Sequence, residues 1–246
     1  MQFPNVFARI VLPASSRGHD AASGQDMDSK PGEYYDAAAD KSTSWSYAEG
    51  LPVEDSVLRR ARERSHELGL FPVSPGVAAA LTVLAATSKA QTAVEVGTGA
   101  GVSGVSILRG LGPRAVLTTI DPDIDHLRAA REAFTESGSP ANRTRTISGR
   151  GQDVLPRLTD EAYDLVFIDA DKPSFPEYVE QGIRLLKSGG LLIINDAMDK
   201  DRVSDPAIRE NSTVVLRRVG KMIRENDSMV SAMLPTGDGL LLAVKR

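Results

Sequence analysis

The feature that most constrains this chain is a regular alternation of short apolar runs with amphipathic stretches from residue 92 onward. Thr92–Val96 reads as a strand and is followed by a glycine-rich turn and a short helix to about Leu111. Ala115–Ile120 is a second strand, and Asp123–Ser137 a helix with Leu127, Ala130 and Phe134 on its inner face. Arg143–Ser148, Asp164–Ile168 and Leu191–Ile194 are three more strands. A short helix around Val154–Leu158 separates the first two of these, and one carrying Val179, Ile183 and Leu186 the last two. Strands of this kind, nearly continuous in Val, Ile and Leu, are covered on both faces, so the alternation predicts an α/β fold with a doubly wound parallel sheet. Asp205-Pro206 is read as opening a long helix with Ile208, Val215, Val219 and Met222 on one side. Two last runs, Met229–Leu234 and Leu240–Val244, flank Thr236-Gly237-Asp238-Gly239 and predict a closing β-hairpin. The total is seven strands, mostly parallel, with an antiparallel hairpin at one edge.

Two further helices are expected before the first strand. Asp55 caps one with Val57, Ala61 and Leu68 on a face and Gly69 at its end. Ser74-Pro75 opens the other, with Val77, Leu81 and Leu84 at helical spacing. Order is expected from near Trp45, which divides the chain into a disordered tail over 1–43 and one domain over 44–246. The tail reading rests on Ser15–Thr43, rich in Ser, Gly, Asp and Ala with no apolar period. Met1–Pro13 is apolar but has no basic start, is interrupted by Arg9 and lacks a clear cleavage site, which argues against a signal peptide and for a cytoplasmic protein. Met27 is an alternative start, which N-terminal sequencing would decide.

Composition narrows the chemistry. Of 246 residues none is Cys and only His19, His66 and His126 are His. Thiolate nucleophiles, zinc-thiolate sites and iron–sulfur clusters are therefore excluded. A net charge of −4 argues against nucleic acid or acidic membranes as main partners, and no stretch reaches the roughly 18 apolar residues of a membrane span. His66 is expected on an exposed helix face; His126, one turn after Asp123, is within reach of a cofactor edge but is expected at the surface.

Three loops at strand ends point to a nucleoside cofactor. The first strand runs directly into Gly97-Thr98-Gly99-Ala100-Gly101-Val102-Ser103. Glycines there let backbone turn sharply and approach a ligand. The spacing departs from the dinucleotide fingerprint, whose third small residue would fall at Val102. With Glu95 two positions ahead, it resembles instead the E/D-x-G-x-G-x-G loop of S-adenosylmethionine (SAM) methyltransferases. Asp121, at the tip of the second strand, stands where a ribose diol donates to a carboxylate. Gly151 and Gln152, after the third strand, are placed for adenine.

Strands four and five end in Asp169-Ala170-Asp171-Lys172 and Asn195-Asp196. In a doubly wound sheet these ends converge near the switch point, and oxygen donors of this kind suit Mg²⁺, Mn²⁺ or Ca²⁺. The ordered segments VEVGTGAGVS, TTIDPD, SGRGQDVLPRL, YDLVFIDADK, LLKSGGLLIIND and LPTGDGLLLAVKR resemble the small cation-dependent O-methyltransferases, a group that includes the catechol and caffeoyl-CoA enzymes. The resemblance spans about Tyr47 to Arg246. It implies Asp169 as metal ligand and Lys172 as general base near an acceptor hydroxyl. It also implies a SAM site lined by Glu95, Gly97, Ser103, Asp121, Gly151, Gln152 and Asp169, with Thr98, Gly99 and Gly101 in its loop. Val73 is implied to contact the cofactor from above. The acceptor implied is a small hydroxylated aromatic, and the assembly a homodimer using Tyr47–Leu70.

One departure stands out. The family usually reads Asp-Asn where this chain has Asn195-Asp196. Because neighbouring strand residues point to opposite faces, the exchange is expected to move a charge to the wrong side of the cluster Asp169, Asn195 and Asp196. That leaves two rivals to a metal-assisted O-methyltransferase: a SAM-binding protein with a degenerate metal site and little catalysis, and a nicotinamide-dependent oxidoreductase.

Overall fold

A computed structural model describes residues 41–246 of the chain. Residues 1–40, and with them almost all of the expected tail, His19 and Met27, lie outside the described residues. In chain order the elements are helices α1 (Lys41–Gly50), α2 (Ser56–Glu67) and α3 (Pro75–Ser88), strand β1 (Thr92–Val96), helix α4 (Val102–Gly110), strand β2 (Val116–Asp121) and helix α5 (Ile124–Glu136). There follow β3 (Thr144–Ser148), α6 (Gly151–Val154), β4 (Tyr163–Ile168), α7 (Phe175–Leu185), β5 (Leu186–Ile194), α8 (Asn211–Arg224), β6 (Met229–Leu234) and β7 (Leu240–Lys245).

The seven strands form one sheet in the order β3-β2-β1-β4-β5-β7-β6. β1 pairs in parallel with both β2 and β4, and β7 runs antiparallel between β5 and β6. The expected doubly wound, mostly parallel sheet with its antiparallel hairpin is therefore the observed fold. The switch point falls between β1 and β4. Gly97 N–H donates to Ile120 O, and Asp169 N–H donates to Val96 O, each at 2.9 Å, so β1, β2 and β4 end at one level.

Both faces of the sheet are covered. One core gathers Leu117, Phe167 and Ile193 with Leu81, Val105 and Ala130 of the helices. The other gathers Val94, Ile168 and Leu192 with Phe175, Val179 and Val219. Each such side chain, fully buried, contributes about 1.5–3 kcal/mol. The caps follow the sequence: Asp55 accepts from Val57 N and Leu58 N at 3.1 Å, and Ser74 accepts from Val77 N at 3.2 Å ahead of Pro75.

Four local expectations change. Helix α1 begins at Lys41, three residues ahead of the expected boundary, and its residues 42–48 are all exposed. α8 begins at Asn211, because Asp205 folds back to accept from Ala207 N at 2.9 Å and makes a turn with Pro206. Its buried stripe is accordingly Thr213, Leu216, Val219 and Ile223, with Val215 and Met222 only packed against the core and Ile208 ahead of the helix. On α2 the buried face is Leu58, Ala61 and Ser65, while Leu68 caps the helix and is exposed. β5 starts five residues early, at Leu186, through a register shift opposite Tyr163 and Leu165. No helix among the described residues is long and apolar enough to cross a membrane.

Candidate functional site

A cavity of about 610 Å³ opens at the carboxyl ends of the parallel strands. Its floor is the β1–α4 loop, where Gly97, Gly99 and Gly101 have φ of 95°, 49° and 91°, values that favour glycine. At Gly97 a Cβ would lie 1.9 Å from the carbonyl oxygen of Asp169, so only a glycine lets β1 turn beneath β4. Val73, Thr98, Ser103, Asp121, Gly151, Gln152, Asp169 and Asp196 line the cavity with Gly97 and Gly99.

Glu95 and Gly101, which the resemblance implies in the same wall, do not reach it. Gly101 packs against α5, where a Cβ would meet Ala130 Cα at 3.0 Å. Glu95 is fully buried beneath the loop. Thr119 Oγ1 donates to its Oε2 at 2.6 Å, and a second 2.6 Å hydrogen bond joins Thr119 to Thr98. Its Oε1 has no partner. Burial pushes the Glu95 carboxyl up to about 7, and the Ser103 and Thr119 hydroxyls oppose this only in part.

Asp121 occupies the tip of β2 and is nearly inaccessible. Its Oδ2 accepts from Thr98 N and Gly99 N, both at 3.1 Å. Its Oδ1 accepts from Asp123 N at 2.9 Å and lies 3.1 Å from His126 Nδ1. The carboxylate thus fastens the glycine loop to the start of α5. Gln152 and Tyr178 form the opposite wall, with Tyr178 Oη 2.9 Å from Gln152 Oε1 and 2.7 Å from Asp171 Oδ1. Burial, followed by Asp171, pushes the Tyr178 hydroxyl well above the usual phenol range.

The acidic cluster assembles at the rim. Asn195 Nδ2 donates to Asp169 Oδ1 at 3.1 Å and to Asp196 Oδ1 at 3.2 Å. The opposite-face expectation for Asn195 and Asp196 is therefore corrected. β5 ends at Ile194 and Asp196 has φ 53°, so strand alternation no longer applies and both side chains turn to the same place. A left-handed Asp is among the less costly exceptions. Asp169 lies deep in the protein with part of its surface open to the cavity. Burial, then the Asp196 charge, push its carboxyl up to about 7, against Asn195 and Lys172.

Among the described residues no group of three or more His, Cys, Asp or Glu is placed to hold a metal. Two carboxylates and one amide are the donor set here, and Asn195 Oδ1 is buried with no partner. A half-turn of the amide exchanges nitrogen for oxygen at the same place, which gives three oxygen donors beside one another. That set, with one orphaned oxygen and a carboxyl whose charge burial and Asp196 disfavour, fits a hard divalent cation.

Lys172 is held by a residue that sequence reasoning passed over. Its Nζ lies 3.1 Å from Asp199 Oδ1 and 3.7 Å from Asp196 Oδ2. Asp199 is 1% exposed. It also accepts from Thr213 Oγ1 at 2.5 Å, Ser212 Oγ at 3.0 Å and Arg202 at 2.9 Å. Burial pushes its carboxyl up, but these hydrogen bonds outweigh it and hold the group well below the usual carboxylate range. Phe71 brings an aromatic side chain to the cavity, which it lines while 97% exposed.

Residues 51–246 match the O-methyltransferase family. A relative from Mycobacterium leprae, an O-methyltransferase by name, is 49% identical over 210 residues, 85% of this chain and 94% of its own. One from Mycobacterium tuberculosis with the same description is 45% identical over 228 residues, 93% of this chain and 97% of its own. Among solved structures, a Corynebacterium glutamicum protein is 32% identical with a TM-score of 0.77, over 83% of this chain and 96% of that one. TomG of Streptomyces achromogenes, an O-methyltransferase of tomaymycin synthesis crystallised with SAM, is 26% identical with a TM-score of 0.75, over 84% of this chain and 99% of that one.

Proposed function

The chain belongs to the O-methyltransferase family, and from that premise we propose that it methylates a hydroxyl of a small aromatic acceptor, using SAM and a divalent cation. One observation carries this reading. Asp169 and Asp196 line the same cavity whose floor is the glycine loop, and Asn195 and Lys172 contact them from behind its lining. A nicotinamide reading has no such support, because the loop lacks the dinucleotide spacing.

The division of labour follows the walls. Gly97, Thr98 and Gly99 admit the cofactor close to backbone, Asp121 faces its ribose, and Gly151 and Gln152 its base. Transfer forms a bond from the acceptor oxygen to the methyl carbon as the carbon–sulfur bond breaks in line, and the hydroxyl proton must leave. Asp169, Asn195 and Asp196 would hold a cation, which when bound supplies positive charge that favours the ionised hydroxyl and fixes its oxygen. Lys172 would receive the proton at Nζ in its neutral amine form, since an ammonium has no lone pair to accept it. Asp199 fixes where that nitrogen sits, and positioning of this sort accounts for much of such a rate. Phe71, at the mouth, offers the apolar face against which a ring can stack. A homodimer through Tyr47–Leu70 is supported by the exposed Tyr47, Leu51 and Val53 nearby.

The test is methyl transfer from SAM to a vicinal diphenol, with Mg²⁺ or with EDTA, in the wild type and Asp169→Ala. Transfer should need Mg²⁺ and Asp169, while S-adenosylhomocysteine still binds. Full activity in EDTA would sink the cation, and turnover of no diphenol or related phenol would sink the acceptor class.

A further inference from the structure

His126 does not sit at the surface as a bystander. It lines the cavity, and its Nδ1 lies 3.1 Å from Asp121 Oδ1 with only a fifth of its side chain exposed. A carboxylate has about four lone-pair positions. On Asp121 all four are taken, by Thr98 N, Gly99 N, Asp123 N and His126. A ribose diol that approaches this carboxylate finds no free acceptor. Three of the donors are backbone groups held by the turn and the start of α5. His126 is the one donor on a rotatable side chain, and its other nitrogen already faces a second carboxylate, Asp123 Oδ2, at 3.7 Å.

We propose that His126 occupies the ribose's seat on Asp121 in the free protein, and that the cofactor binds by displacing it toward Asp123. This rests on the reading of Asp121 as the ribose acceptor. Charged groups around the imidazole are Asp121 at the end of β2 and Asp123 at the cap of α5, and Arg150, after β3, lines the same cavity. The swing leaves the imidazole beside Asp123, so its polar edge keeps a partner while Asp121 is freed for the diol.

Isothermal titration of S-adenosylhomocysteine reads this directly. His126→Ala should bind about fivefold tighter than the wild type, the scale of one hydrogen bond's net contribution. Equal affinity in the two proteins overturns the displacement, as does weaker binding by His126→Ala. The 2′- and 3′-deoxy analogues of the ligand separate this from the underlying reading. If both bind the wild type as well as the parent does, Asp121 is not the ribose acceptor. If either binds more weakly while His126→Ala gains no affinity for the parent, the displacement alone fails.

Discussion

Glu95 offers the sharpest test of how the cofactor loop is built. Its carboxyl is inaccessible, has one oxygen without a partner, and is pushed from 4.5 up to about 7. The unfolded chain loses this proton near 4.5 and the folded protein near 7, so between those values the folded state binds more protons. Stability from this group is complete below pH 4.5, falls as pH rises through 7, and is flat above. A rise of about 2.5 pH units at about 1.4 kcal/mol each gives a fall of about 3 kcal/mol. Asp169 adds a fall of the same sign. In Glu95→Gln the amide oxygen can keep the Thr119 hydrogen bond, and the nitrogen takes the place of the unpartnered oxygen. That nitrogen costs about 1–3 kcal/mol at every pH, which leaves the slope unaffected. Urea denaturation at pH 5, 6, 7 and 8 is the assay. The variant should lose about 2.5 kcal/mol less than the wild type between pH 5 and 8, because the part below pH 5 is already gone. Parallel curves for the two proteins would show that the buried carboxyl titrates normally, and would refute the reasoning.

Two other substitutions probe neighbouring supports. Gly97→Ala places a methyl 1.9 Å from the Asp169 carbonyl at a φ of 95°. It should cost about 1–2 kcal/mol from backbone strain alone, and calorimetry should show S-adenosylhomocysteine binding abolished. Asp199→Asn removes the charge shared by Lys172 and Arg202. Breaking a buried pair costs about 3–5 kcal/mol, and kcat should fall more than KM changes. Asp199→Glu restoring neither stability nor kcat fits a geometric role, whereas unchanged kcat in Asp199→Asn removes it.

Much of this protein is legible in its sequence because the fold repeats one local device. Each apolar strand is followed by a turn and an amphipathic helix, so β1, β2 and β4 and their loops can be read without tertiary knowledge. Asp169 and the Asn195-Asp196 pair follow from the rule that ligands gather at strand ends. What escapes the sequence depends on contacts between distant segments. Asp199 looks like one acid among several in Asp196–Asp205, and only the packing of Ser212 and Thr213 against it turns it into an anchor. His126 lies one turn into an amphipathic helix, and nothing local marks it as facing Asp121. The shared direction of Asn195 and Asp196 escapes strand alternation because β5 ends at Ile194, ahead of a left-handed turn at Asp196 that a pattern of side chains does not reveal.

A different consequence lies in the two ends of the described chain. Glu49, on α1, accepts from Gly76 N at 2.9 Å, Thr236 Oγ1 at 2.8 Å and Gly237 N at 2.7 Å, and Trp45 Nε1 donates to Gly237 O at 3.2 Å. The contacts to Thr236 and Gly237 join residues 187 to 192 positions apart, and β7 fills the slot between β5 and β6. During synthesis, then, β5 keeps an unpaired edge and α1 waits without these two partners until β7 leaves the ribosome. Contacts of such sequence separation are slow to form, and an open strand edge invites other chains. The window in which this protein is most exposed to misassembly therefore lasts until β7 has been made, and a chain cut short of β7 would keep that edge open.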